Sequence, residues 1–364
     1  MHLGLEIEAE ARARLSALLA RIPFANIRSS DATMELGPRG HYSPDFVLNV
    51  GIGPDQWRLV CEAKSQAQPR QARLAALELK DYLAAQSGAN VYPVFVAPYI
   101  SPASAQICRQ AGVGHVDFTG NCHLAFGTVF IELSGEAKPK GQQRGLRSVF
   151  GAKSARILRR LLREPNRNWR VADLAKETRT SLGQVSNVRK ALVDQEWAAV
   201  GTDGVRLVKP GALLDAWRDA YDKRGVSRSG YYSLRKGADL ESLIKSAISE
   251  AGQGEHALLA SYSAARWLAP YARYSTQTLY ADEAGESLLR ERLQLESASK
   301  GENFIIERPA DVGIFADRIE AAPGLWSTGL IQTYLDLSVS GERGAEAADH
   351  LRMMRIEPSW KNPP

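Results

Sequence analysis

The chain has 364 residues, 44% hydrophobic and 24% charged, with a formal net charge of +5 and no low-complexity tract. That length accommodates two or three domains with their own cores, and no run approaches the roughly 18 apolar residues needed to cross a bilayer. The N-terminus is acidic and lacks a signal peptide's basic and apolar regions. Cys61, Cys108 and Cys122 are scattered without metal-ligand spacing. A cytoplasmic protein with reduced thiols and no membrane association is expected.

Residues 1–135 read as an α/β sandwich with a mixed sheet. An amphipathic helix over 5–22 precedes a polar loop and two strand-like runs, 44–50 and 56–64, joined by the turn sequence 51–55. A helix over 69–86, a buried-type strand over 91–97 and a helix over 102–111 follow. A last pair of strands is expected at 114–118 and 123–133. Side chains alternate along a strand, so Glu62 and Lys64 share a face, and the simplest hairpin register brings Asp45 beside them. Two carboxylates can hold a divalent metal, and a nearby lysine can position or deprotonate a water. The same residues also fit a salt-bridged strand end with no catalytic role. Asp117 to Asn121 reads as a structural turn.

Residues 136–151, with Lys138, Lys140, Arg144 and Arg147, form a basic Gly/Pro-bearing linker. Residues 152–210 have the pattern of a winged helix-turn-helix. Ile157, Leu158, Leu161 and Leu162 mark one helix, residues 169–178 a second, and Val185, Val188, Leu192 and Val193 the buried stripe of a third. Ser181 is its expected N-cap, with Gln184 completing a capping box. Residues 197–200 and 205–208 form a hairpin around Thr202–Gly204. Ser181, Gln184, Ser186, Asn187, Arg189 and Lys190, with Lys153 and Arg156 on the first helix, are the candidate DNA contacts: amides and hydroxyls for base edges, cations for phosphates. From Lys138 to Lys190, fifteen Lys or Arg stand against three Asp or Glu, a net of about +12, so the rest of the chain sums to about −7. Such a concentration suits double-stranded DNA.

Residues 211–364 read as α+β. Helices are expected at 211–223, 239–251, 256–269, 330–337 and 345–354, and strands at 276–281, 303–307 and 312–315, with a polar break over 224–229. Tyr262, Trp267, Tyr271 and Tyr274 fit a core stripe, and Asp336, Glu346 and Asp349 fit surface positions.

Two stretches resemble known families. Pro44–Asp45 followed by Glu62–Ala63–Lys64 is similar to the PD-(D/E)xK motif of restriction-endonuclease-like proteins. The resemblance implies Asp45 and Glu62 as ligands of Mg²⁺, Lys64 as an aid to the attacking water, and Glu8 or Glu10 as a further carboxylate. Residues 261–274, 331–337 and 343–351 resemble the AbiEi family of antitoxin-type transcriptional regulators, with the likeness extending over about residues 150–355. It implies operator binding through the winged helix and a C-terminal domain that counters a nucleotidyltransferase toxin. The chain therefore looks like a longer AbiEi form: restriction-endonuclease-like α/β domain, winged helix-turn-helix, AbiEi-type α+β domain. The leading expectation is a sequence-specific DNA-binding antitoxin and regulator of a type IV toxin–antitoxin system. The alternative is a Mg²⁺-dependent endonuclease targeted by its winged helix. Homodimerisation is left open.

Overall fold

A computed structural model describes residues 2–30, 43–84, 90–135, 149–223, 225–271 and 274–361. The chain is a mixed α/β protein of two compact units: residues 1–145 with 193–196, and residues 146–192 with 197–364. Residues 136–148 of the expected basic linker, including its four cations, lie outside the described residues.

In the first unit α1 (His2–Leu19) precedes β1 (Ala25–Ser30), β2 (Phe46–Ile52) and β3 (Asp55–Ala63). Then come α2 (Pro69–Ala84), β4 (Val91–Ala97), α3 (Pro102–Gln110), β5 (Gly114–Asp117), β6 (Cys122–Phe126) and β7 (Val129–Leu133). The seven strands form one sheet in sequence order. The β3–β4 and β4–β5 pairs are parallel and the others antiparallel, because a helix crosses over only between the parallel partners. One face, including Leu48, Leu59, Val94 and Val96, packs on Ala11, Leu15 and Leu19 of α1. The other, with Val60, Phe95 and Ala97, packs on Ala72, Leu79 and Cys108 of α2 and α3. Burial of both faces explains the continuous apolar run of β4. The expected strand 123–133 is instead two, folded over Gly127 at φ +54°. The expected polar loop contains β1, whose only apolar residues, Ala25 and Ile27, suit an edge strand.

The second unit begins with α4 (Ala152–Arg163), α5 (Val171–Thr178), α6 (Leu182–Asp194) and the hairpin β8 (Ala198–Gly201) and β9 (Gly204–Leu207). It continues through α7 (Pro210–Ala220), β10 (Ser227–Tyr232), α8 (Gly237–Glu250), β11 (Ala257–Leu259), α9 (Ser261–Leu268) and β12 (Gln277–Ala281). Next come α10 (Glu283–Arg292), β13 (Glu296–Ser297), β14 (Phe304–Arg308), α11 (Gly313–Ala316), β15 (Ile319–Ala322) and β16 (Leu325–Ser327). Helices α12 (Leu330–Ser338) and α13 (Glu342–Leu351), a π-helical turn Arg352–Ile356 and α14 (Glu357–Lys361) complete it. The sheet runs β13-β10-β14-β12-β11-β16-β15.

Three expectations change here. Residues 312–315 fall in and beside the short helix α11, not in a strand. Residues 256–269 split into β11 and α9, with the turn between them made at Ser261, whose φ is +49°. The polar break at 224–229 runs into β10. In both of the latter, pairing with distant partners, β12 and β14, fixes a strand that local composition does not announce.

Candidate nucleic-acid interface

Helix α4 buries Ile157, Leu158, Leu161 and Leu162 on one side, as the spacing requires. Chain direction then reverses through Trp169, which is 1% exposed and pairs by backbone with Val205: Trp169 N–H donates to Val205 O at 2.8 Å, and Val205 N–H returns the bond at 2.9 Å. The β8–β9 hairpin is thereby tied to the start of α5. Gly204 makes this close approach possible. Its φ is +128°, and a Cβ there would strike the Trp169 carbonyl oxygen.

Helix α5 ends at Arg179, in the left-handed region at φ +51°, and the Thr180 N–H donates to Ala175 O. Ser181 caps α6: its Oγ accepts the Gln184 N–H at 3.2 Å. The reciprocal half of the expected capping box is absent, because Gln184 Nε2 donates to Ser154 Oγ of α4 at 2.7 Å. Val185, Val188 and Leu192 form the buried stripe, each contributing roughly 2 kcal/mol by transfer. Val193 is only half-buried. The opposite face carries Asn187 and Lys190 exposed, with Ser186 and Arg189 half-buried. Lys153 on α4 and Ser181 are exposed as well.

Arg156 does not belong with them. Its guanidinium grips the Asp311 carboxylate, with Nε 2.9 Å from Oδ2, and the pairing holds its charge firmly. Much of the basic band behaves likewise. Arg160 contacts Glu164 at 2.8 Å and Glu177 at 2.7 Å, and Arg167 meets the same two acids at 3.0 and 3.1 Å. Arg159 and Arg163 each approach Asp317 to 3.7 Å. Burial pushes the Asp317 carboxyl up, against the pull of Arg159, Arg163 and Arg160. The cations exposed around the α5–α6 turn and hairpin include Arg170, Lys176, Arg179 and Arg206, none of which the sequence pattern singled out. Arg206 was legible in principle, since Val205 and Leu207 on either side of it are buried.

In the first unit, the β2–β3 register Phe46↔Cys61 sets Asp45 opposite Glu62. Asp45 Oδ2 accepts the Ala63 N–H at 2.7 Å. Glu62 is 2% exposed, and its carboxylate contacts the Lys64 ammonium. Burial pulls the Lys64 pKa down, but the hydrogen bond to Glu62 and the charges of Glu62, Asp45 and Glu78 outweigh it and hold the amine protonated. Burial pushes the adjacent Cys61 thiol well up. Glu8 and Glu10 of α1 are engaged by Arg12 at 3.3 Å and Arg14 at 2.6 Å. Asp45 and Glu62 are hard oxygen donors, but among the described residues no group of three or more His, Cys, Asp or Glu is placed to hold a metal ion. Asp117, 2% exposed, accepts from the backbone N–H groups of Ile100, Thr119 and Asn121 and from the side chains of Thr119 and Asn121. It organises the turn.

Sequence reasoning missed a polar network at the centre of the second unit. Asp336, expected at the surface, is fully buried. Its Oδ1 accepts from Tyr221 Oη at 2.7 Å, Tyr280 Oη at 3.0 Å and Gln332 Nε2 at 3.0 Å, while Lys223 Nζ bonds Glu307 at 2.8 Å. Burial pushes the Asp336 carboxyl up, opposed by Lys223 and the tyrosine hydroxyls. Glu346 and Asp349 are exposed as expected. Of the aromatic stripe, Tyr262 and Tyr274 pack ring to ring at 3.9 Å, but Trp267 and Tyr271 are 37% and 48% exposed.

Residues 206–356 match a family described as transcriptional regulator, AbiEi antitoxin, type IV toxin–antitoxin system. This segment is similar to the AbiEi family. It contains the Asp336 network and the whole of the second sheet, and it begins within β9, so α4 to α6 precede it. The AbiEi segment is nevertheless joined to those helices. Arg156 and Arg159 of α4 contact Asp311, Asp317 and Gln332, and beyond the segment Trp360 of α14 donates its indole N–H to Leu162 O at 2.7 Å. Helices α4 to α6 and the AbiEi segment fall for the most part in one compact unit. No curated protein and no solved structure matches the chain. Among the described residues no helix is long and apolar enough to cross a membrane.

Proposed function

We propose that the protein is a DNA-binding regulator and antitoxin of a type IV toxin–antitoxin system. In this proposal residues 152–210 act as a winged helix that docks α6 in the major groove of double-stranded DNA. The reading is supported by the AbiEi-type segment joined to three short helices, the last of which carries Asn187 and Lys190 exposed and Arg189 half-buried. An exposed amide can pair with adenine, and the two cations can reach phosphates. The AbiEi segment would meet a nucleotidyltransferase-type toxin. Gel-shift titration against the DNA flanking the gene tests the first half, with specific retardation expected. Co-expression with the neighbouring toxin tests the second, with survival expected. Failure of both removes the proposal.

One observation favours a second reading for residues 1–135. The hairpin register brings Asp45 and Glu62 together with Lys64 attached, as a restriction-endonuclease-like site would need. Mg²⁺ held there would supply charge to a scissile phosphodiester, and the protonated Lys64 would hold a phosphate oxygen rather than take a proton from water. Asp45→Ala, Glu62→Ala and Lys64→Ala should then each abolish Mg²⁺-dependent cleavage while duplex binding persists. Cleavage surviving these substitutions would place the chemistry elsewhere.

A further inference from the structure

We propose that Arg170 and Arg206 form a second contact for the phosphate backbone of double-stranded DNA, separate from α6. This rests on the DNA-binding reading above and names residues outside α6 that would grip the duplex. Backbone geometry brings the two together. Trp169 and Val205 exchange N–H to carbonyl hydrogen bonds in both directions, and their side chains are 1% and 2% exposed. Side chains alternate along extended backbone. Arg170, at φ −72° and ψ 144°, and Arg206, between the buried Val205 and Leu207, therefore turn to the solvent side of this bridge. The bridge fixes their relative position before a ligand arrives, so binding would order little more than two side chains.

Partner status separates these two cations from their neighbours. Arg156 is held by Asp311, Arg163 stands 3.7 Å from Asp317, and Arg160 and Arg167 share Glu164 and Glu177. A phosphate approaching any of these also meets a carboxylate of its own sign, which offsets much of the attraction. Arg170 and Arg206 are exposed, and among the described residues neither side chain has a hydrogen bond or an ion pair. Asp173 and Asp203, the exposed acids nearest to them in sequence, pair with neither. A guanidinium without an acid partner keeps its full charge and its planar fork for the oxygens of a phosphodiester. Charge counting along the chain treats Arg167 and Arg170 alike, and the ion pairs make them differ.

Fluorescence-anisotropy titration of the full chain against a random-sequence duplex at several salt concentrations tests this. Arg170→Gln combined with Arg206→Gln should flatten the slope of log K against log salt by about 1.8. Affinity should fall equally for random and flanking DNA, since phosphate contacts carry no sequence information. Arg206→Gln alone should remove about 0.9 of the slope and decides the matter if the double variant does not fold. Arg170→Lys combined with Arg206→Lys keeps both charges and should keep the parent's slope. Arg167→Gln, whose charge is already matched by Glu164 and Glu177, should leave the slope unchanged as well. A parent slope retained in the Gln variants, or a loss in Arg167→Gln as large as in Arg206→Gln, would overturn the assignment and leave DNA binding through α6 standing. A parent chain that binds no duplex would overturn both.

Discussion

Asp336 gives the sharpest test of how the second unit is held together. Replacing it with leucine leaves the hydroxyls of Tyr221 and Tyr280 and the amide of Gln332 without their common acceptor. At about 1–3 kcal/mol for each stranded buried donor, the three together amount to roughly 3–9 kcal/mol. Removing a buried charge returns several of these, so a net destabilisation of about 2–4 kcal/mol is expected for Asp336→Leu. Asp336→Asn keeps an acceptor oxygen for all three donors and should change stability by no more than about 1 kcal/mol at pH 7. The two variants also separate by pH. Burial raises the folded-state pKa of Asp336 above that of the unfolded chain. Between those two values the folded protein binds more protons, so this group's stabilisation is full below the unfolded pKa and is lost as pH rises through the folded one. Asp336→Asn removes that pH dependence, and the variant should gain on the parent as pH rises from about 4. Scanning calorimetry on parent and variants at pH 5 and pH 8 measures both effects. An Asn variant as unstable as the Leu variant, or one that falls further behind the parent as pH rises, would refute the assigned network.

Gly204→Ala should lower the melting temperature and disturb the β8–β9 hairpin, at a cost of about 2 kcal/mol or more, because φ +128° and the Trp169 carbonyl both exclude a Cβ. Thermal denaturation checks the cost, and an unchanged melting temperature would contradict the close approach. Arg156→Met and Asp311→Asn should each destabilise by about 1–3 kcal/mol and leave the salt dependence of DNA binding unaltered, since this pair is internal to the unit. A shallower salt slope in Arg156→Met would return Arg156 to the DNA face.

The hairpin that brings Asp45 beside Glu62 was legible because alternation and a short turn leave one simple register. Helix α6 was legible because Val185, Val188 and Leu192 repeat at helical spacing. What escaped depends on residues far apart in the chain. Local charge counting registers Arg156 and Arg159 but not Asp311 and Asp317, more than 150 positions later, which draw both inward. Asp336 looked like a surface carboxylate because the groups that bury and satisfy it, Tyr221 and Tyr280, arrive from α7's end and β12. Short strands such as β11 carry too few residues to show a period, and only their sheet partners define them.

The salt dependence of duplex binding bears most directly on the proposed role. Each cation removed from a phosphate should reduce the slope of log K against log salt by about 0.9, so Arg189→Ala combined with Lys190→Ala should flatten it by about 1.8. Asn187→Ala should leave the slope unchanged while narrowing the gap between specific and random DNA. Parent affinity that is independent of salt, or a double variant with the parent's slope, would contradict DNA recognition through α6.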